Sequence, residues 1–167
     1  MNLKDLKVVF AGCARNCSNF LPKVLDNIKF YSSFFADSYK VIVENGSTDK
    51  TKEILKNNQN KKNFFLFEDD LNNLPYRGQR LEKARNLIIE TIKKNPNLIG
   101  CDIFIMLDLD DMGTYRIEEK NILDSIKFLF SKEEIGAVFA NQLGTYYDMW
   151  TLRDQKYCKN DFWAEVL

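Results

Sequence analysis

The sequence predicts an α/β domain with a Rossmann-like parallel sheet and helices on both faces. Three observations predict it. Short, continuous apolar runs recur along the chain, bounded by polar residues, as buried strands are. Stretches with apolar residues at helical spacing separate them, and strand and helix alternate four times. That is the pattern of parallel strands joined by right-handed crossovers. At 167 residues and 45% apolar content, the chain is long enough for one domain with a real core.

Residues 7–12 form the first expected strand, and Gly12 to Asn16 its exit loop. A helix is expected from about Ser18 or Asn19. Pro22 suits its first turn, where a missing N–H does no harm. Leu21, Val24, Leu25, Ile28, Tyr31 and Phe35 give that helix one apolar face. Residues 39–44 are the second strand. Asn45-Gly46-Ser47-Thr48-Asp49 is a turn, with Ser47 or Thr48 as the cap of the helix carrying Ile54 and Leu55. Residues 64–67 are the third strand, and 68–78 a loop. The next helix spans about 79–94, with Leu81, Ala84, Ile88 and Ile92 on one face and Pro96 ending it. Ile103-Phe104-Ile105-Met106-Leu107 reads as a fully buried fourth strand running into Asp108, Asp110 and Asp111. Ile117, Ile122, Ile126, Leu129 and Phe130 mark another amphipathic helix, and residues 136–140 a fifth strand. The aromatic remainder has no regular pattern.

Composition narrows the function classes. Lys and Arg number 24, against 24 Asp and Glu, so no global field favours nucleic acid or an anionic membrane. No apolar run reaches transmembrane length, and Met1-Asn2-Leu3-Lys4-Asp5 is not the start of a signal peptide. The expectation is a soluble cytoplasmic domain, free or associated with a membrane-bound assembly, and compatible with one module of a larger chain. Cys13, Cys17, Cys101 and Cys158 contain no C-x-x-C pair, which argues against a zinc or redox motif. Histidine is absent, removing the commonest general base and every Ser-His-Asp, Cys-His and His-zinc site. The chemistry left is that of carboxylates, hydroxyls, cations and hard metals.

Four strand exits converge on one sheet edge, where ligands of open α/β sheets collect. The first offers Arg15, Asn16 and backbone N–H groups. The second offers Glu44, whose carboxylate can accept from a ribose hydroxyl or a base. The third is Glu68-Asp69-Asp70. The fourth offers Asp108, Asp110 and Asp111, which repel one another unless a cation or proton compensates them. Arg80, Arg85 and Asn86 flank the same edge from the preceding helix, and guanidinium groups suit phosphate. Taken singly, each has a plainer reading. Asp108 to Asp111 can be a solvated acidic turn, Arg15 a surface charge, 45–49 a turn and cap, and Arg85 with Asn86 an exposed stripe. Trp150 and the tyrosines near it can be core.

Five segments in order give the chain a resemblance. Gly12-Cys13-Ala14-Arg15-Asn16, residues 43–51, Glu82-Lys83-Ala84-Arg85-Asn86 and Leu107-Asp108-Leu109-Asp110-Asp111 resemble GT-A glycosyltransferases. Tyr147-Asp148-Met149-Trp150-Thr151-Leu152-Arg153-Asp154 is similar to a stretch of the fungal capsule-associated α-mannosyltransferases. The resemblance covers about residues 8–154. It implies a GT-A fold in one domain, residues 1–111 being the nucleotide-binding half and 112–167 an abbreviated acceptor half. It also implies a metal-dependent hexosyltransferase, taking a sugar from a UDP- or GDP-sugar to a glycan or other hydroxyl acceptor. Asp108 and Asp110 would hold Mn²⁺ or Mg²⁺ and the donor, with Asp111 a neighbour or third ligand. Ala14, Arg15, Asn16 and Glu44 would border the nucleoside, and Arg85 the diphosphate.

Two departures matter. Glu44 or Asn45 stands where the family often has Asp, which bears on base preference. The acceptor half is short, and it is where an inverting enzyme draws its base. Asp148 and Asp154, with Asp161 and Glu165, are the acids available there. The same shortness fits a catalytically degenerate module that binds nucleotide, glycan or protein without turnover. A haloacid-dehalogenase-type phosphotransferase is opposed by Met112, where that motif has Thr or Val.

Overall fold

The computed structural model describes residues 2–139. The chain separates into two compact units, Met1–Lys127 and Phe128–Leu167. The first holds a four-stranded, all-parallel sheet in the order β3-β2-β1-β4. Its strands are β1 (Lys7–Ala14), β2 (Asp37–Glu44), β3 (Phe64–Glu68) and β4 (Ile103–Met106). The helices are α1 (Leu21–Ser32), α2 (Thr51–Gln59), α3 (Arg77–Lys94), the single turn α4 (Pro96–Ile99) and α5 (Glu119–Leu129). No helix among the described residues is long and apolar enough to cross a membrane.

Alternation along the strands sorts the core into two layers. Val9 and Ala11 of β1 and Val41 and Val43 of β2 pack with Leu71 and with Ala84 and Ile88 of α3. On the other face, the Phe10 ring meets Tyr31 of α1 at 6.3 Å and Phe35 at 6.0 Å. Helices therefore cover both faces, as the alternating pattern predicts. β1 lies between two neighbours and buries five residues in succession, Val8 to Gly12.

Five expectations need correction. β1 runs two residues further, because Cys13 and Ala14 still pair with Val43 and Glu44. α1 starts at Leu21, since the chain first turns on the Cys17 carbonyl, which accepts from Phe20 and Leu21. Neither Ser47 nor Thr48 caps α2. Asp49 accepts from the Thr51 N–H instead, while the Thr48 N–H goes to Asn16. β4 is not fully buried: among the described residues it pairs only with β1, and Phe104 is 47% exposed. A strand paired on one side has less to cover its side chains. In the second unit, residues 136–139 of the expected fifth strand carry no strand pairing, and Ala140 lies outside the described residues.

Candidate functional site

The strand order creates the site. After β1 the chain builds outward through β2 and β3, then returns to place β4 on the other side of β1. The exits of β1 and β4 thus flank a topological switch point, where open parallel sheets bind ligands. Asp108, Asp110 and Asp111 leave the sheet there.

Packing holds the acidic turn in place. The Leu107 N–H donates to Ala11 O at 2.8 Å, extending the pairing one residue past β4. Leu109, between the two acids, is 2% exposed and rests on Gly12. A Cβ on Gly12 would lie 2.7 Å from Leu109 Cγ and 2.8 Å from Leu107 O. Asp108 and Asp110 are accordingly turned out to exposed positions on either side of a buried anchor. A Cβ on Gly113 would collide with Asp108 O and press on Val24 of α1.

α1 grips residues 113–117, just past the acids. Asn27, fully buried, donates from Nδ2 to the carbonyls of Gly113 and Thr114, both at 3.0 Å. Its Oδ1 accepts from Arg116 Nε at 3.0 Å, and Arg116 also donates to Asp26 at 2.6 Å. The Tyr31 hydroxyl donates to Tyr115 O and accepts from the Ile117 N–H. Sequence reading missed Asn27. The available signal was one amide within the apolar stripe of a helix, a position that demands partners when buried.

Charge in the turn is unbalanced. Partial desolvation beside the buried Leu109 raises the Asp110 carboxyl, Asp108 pushes the same way, a Met112 N–H pulls partly back, and Asp111 adds to the rise. Asp111 caps the short turn Met112–Thr114, accepting from the Met112 N–H at 3.0 Å. Cys13 reports on the neighbourhood: burial pushes its thiol up to about 11, the Arg85 charge opposes this, and Asp108 reinforces it. Cys13 packs against the layer that contains Ala84 of α3, the residue before Arg85. Among the described residues, no three or more His, Cys, Asp or Glu side chains are grouped to hold a metal. Asp108, Asp110 and Asp111 are therefore not gathered into a three-ligand set.

The other sequence-selected residues hold loops together. Arg15 donates to Asn45 O at 3.1 Å and to Asn72 Oδ1 at 2.5 Å. Asn16, at φ 49°, accepts from the Thr48 N–H at 2.8 Å and donates its own N–H to Ser47 Oγ. Ala14 and Glu44 are buried, and Glu44 Oε1 accepts from the Ser47 N–H at 2.6 Å. Gly46, at φ 59°, leaves room for Asp70 and Asn72 of the third exit. Glu68 is paired with Lys52 and Lys56. Arg80 donates to the carbonyls of Leu74 and Pro75 and so braces its own loop. Asn86 is exposed and lines a separate hollow of about 420 Å³ with Asp69 and Lys83. Asp148, Asp154 and the segment around Trp150 lie outside the described residues.

No family model and no curated protein matches the chain. Among solved structures it is similar to S. aureus TarS 1–349, a glycosyltransferase, at 17% identity and a TM-score of 0.51. The match covers 88% of this chain and 40% of that one, so this chain spans less than half of the TarS structure. The likeness is to a glycosyltransferase fold and does not single out the capsule-associated α-mannosyltransferase group. The chain has an α/β fold, with a parallel sheet of four strands among the described residues flanked by helices, the architecture it shares with that glycosyltransferase.

Proposed function

We propose that this domain is a metal-dependent glycosyltransferase that moves a sugar from a UDP- or GDP-sugar to a hydroxyl acceptor. The observation that carries the reading is the pair Asp108 and Asp110, presented at the switch point by the buried Leu109–Gly12 anchor, with Arg85 on the helix that packs against β1. The donor diphosphate would lie between these acids and Arg85, whose guanidinium matches phosphate geometry. Bound there with the diphosphate, Mn²⁺ or Mg²⁺ would supply Lewis acidity to the departing nucleoside diphosphate. Ala14, Arg15, Asn16 and Glu44 would shape the nucleoside side of the crevice, largely through the loops they hold. Asp111 serves the turn. Asp148 or Asp154 would provide the base if transfer inverts. The reacting sugar would develop oxocarbenium character, so a dry cleft that admits the acceptor and excludes water favours transfer over hydrolysis.

The test is nucleotide release with Mn²⁺ across a panel of sugar nucleotides, beside direct nucleotide binding. Asp108→Ala and Asp110→Ala are expected to keep the fold and lose Mn²⁺-dependent nucleotide binding. The loss should be no smaller than the roughly 10–100-fold typical of removing even an outer partner of a metal site. Unchanged affinity in both variants sinks the metal assignment. Nucleotide binding without release from any donor favours a module without turnover.

A further inference from the structure

A second surface carries chemistry that the acidic turn does not use. A hollow of about 590 Å³ is lined by α1, α2, Lys40 midway along β2, and the segment that leads from α2 into β3. Its size lies within the roughly 300–1,000 Å³ of small-molecule sites. The apolar lining comes from Leu25 and Ile28 of α1, Ile54 of α2 and Phe64 of β3. Four lysines border it, Lys29, Lys40, Lys61 and Lys62, against one acid, Asp26. That acid is already engaged, since Asp26 accepts from Arg116 at 2.6 Å. The chain as a whole is neutral, so four amines around one hollow are a local concentration rather than a reflection of global charge.

Two of these amines are held by neutral groups. Lys40 Nζ donates to Ser38 Oγ at 2.7 Å, and Lys61 Nζ to Asn58 Oδ1 at 2.5 Å. An ammonium has three donors, so each keeps capacity for an anion. Burial lowers the Lys40 amine, with Asp37 opposing. Asp37 itself accepts from Asn63 and the Ser38 N–H.

We infer that this hollow binds an amphipathic anion, a small molecule with an apolar body and a phosphate or carboxylate head. The body lies against Leu25, Ile54 and Phe64, where burial of apolar surface favours it. The head lies among the lysines, with charge-assisted hydrogen bonds that weaken as salt rises. This site is independent of the acidic turn and of any metal there.

The experiment titrates the full chain with octyl phosphate, octanol and inorganic phosphate by calorimetry, with chelator present. Octyl phosphate should bind, with each half-ligand at least about tenfold weaker, the equivalent of one charge-assisted contact. Lys62→Glu and Lys29→Glu should each weaken octyl phosphate about tenfold while circular dichroism and melting stay unchanged. Ile54→Ser should weaken it without altering the response to salt. Octyl phosphate binding no tighter than octanol, or insensitivity to both lysine variants, overturns the proposal. So does lysine-dependent binding to phosphatidylglycerol vesicles without binding of monomeric octyl phosphate, which would assign the lysines to a lipid surface.

Discussion

Two glycines decide where Asp108 stands. Gly12 admits Leu109 and the Leu107 carbonyl, and Gly113 admits the Asp108 carbonyl. Neither backbone oxygen can swing aside as a side-chain tip would. Gly12→Ala should therefore cost about 1–3 kcal/mol in denaturant unfolding, the usual range for overpacking. A loss under about 0.5 kcal/mol, the level of an ordinary surface change, would refute the close packing. Cys13 makes a second residue-scale case. Burial outweighs the Arg85 charge and pushes its thiol up to about 11. Alkylation followed on the Cys13 peptide should stay slow through neutral pH and accelerate only toward that value. A midpoint near the ordinary thiol value of about 8.5 would contradict the buried setting. The importance of Asp108 and Asp110 was legible from residue type and position after an apolar run. The turn-holding bond of Asp111 and the bracing bonds of Arg15 and Arg80 were not, because their partners lie in other loops or depend on local turn geometry.

α2 and α1 show how elements are placed from outside themselves. Asp49 ties the start of α2 to the first exit, accepting from the Thr51 N–H at 2.9 Å and the Ser18 N–H at 3.0 Å. Burial would raise its carboxyl, but the hydrogen bonds from Thr51 and Ser18 win and hold it well below the usual carboxylate range. A carboxyl lowered on folding stabilises fully above its unfolded value, near pH 4, and loses that contribution as pH falls through the folded value. Asp49→Ala should thus cost about 1 kcal/mol at pH 7, as lost helix caps do, with the deficit shrinking in acid. A deficit that persists unchanged at low pH would point away from the carboxylate. Asn27 is the element-scale counterpart for α1. Asn27→Ala leaves two carbonyls and the Arg116 Nε without their partner, at about 1–3 kcal/mol for each group that water does not rescue. It should also loosen residues 112–117 in hydrogen exchange. Apolar spacing located both helices correctly. Their first residues shifted because the turns before them bond across the sheet edge: Thr48 serves Asn16, and Asp49 takes over near the start of α2.

At the scale of the molecule, position in the sheet sets stability. β1 and β2 each pair along both sides, whereas β3 and β4 each have one neighbour among the described residues. Hydrogen exchange should therefore protect the amides of β1 and β2 longer than those of β3, since local opening follows burial and pairing. Slower exchange in β3 than in β2 would contradict the strand order. This arrangement also puts the acidic turn beside β1, which pairs on both sides. The shared fold with TarS rests on this architecture at 17% identity, where residue-by-residue correspondence carries little.

By itself the sequence determined the alternation of strands and helices, the parallel sheet, the covering of both faces and the delivery of Asp108 and Asp110 to a strand exit. Those come from local apolar periodicity and from the steric rules of crossover connections, which a linear pattern encodes. Tertiary structure alone decided the order β3-β2-β1-β4, and with it that the exits of β1 and β4 adjoin. It decided that Leu109 seats on Gly12, that Asn27 clamps residues 113–116, and that four lysines ring one hollow. These are contacts between residues tens of positions apart, and shape and hydrogen-bond demand select them only once the chain has closed on itself.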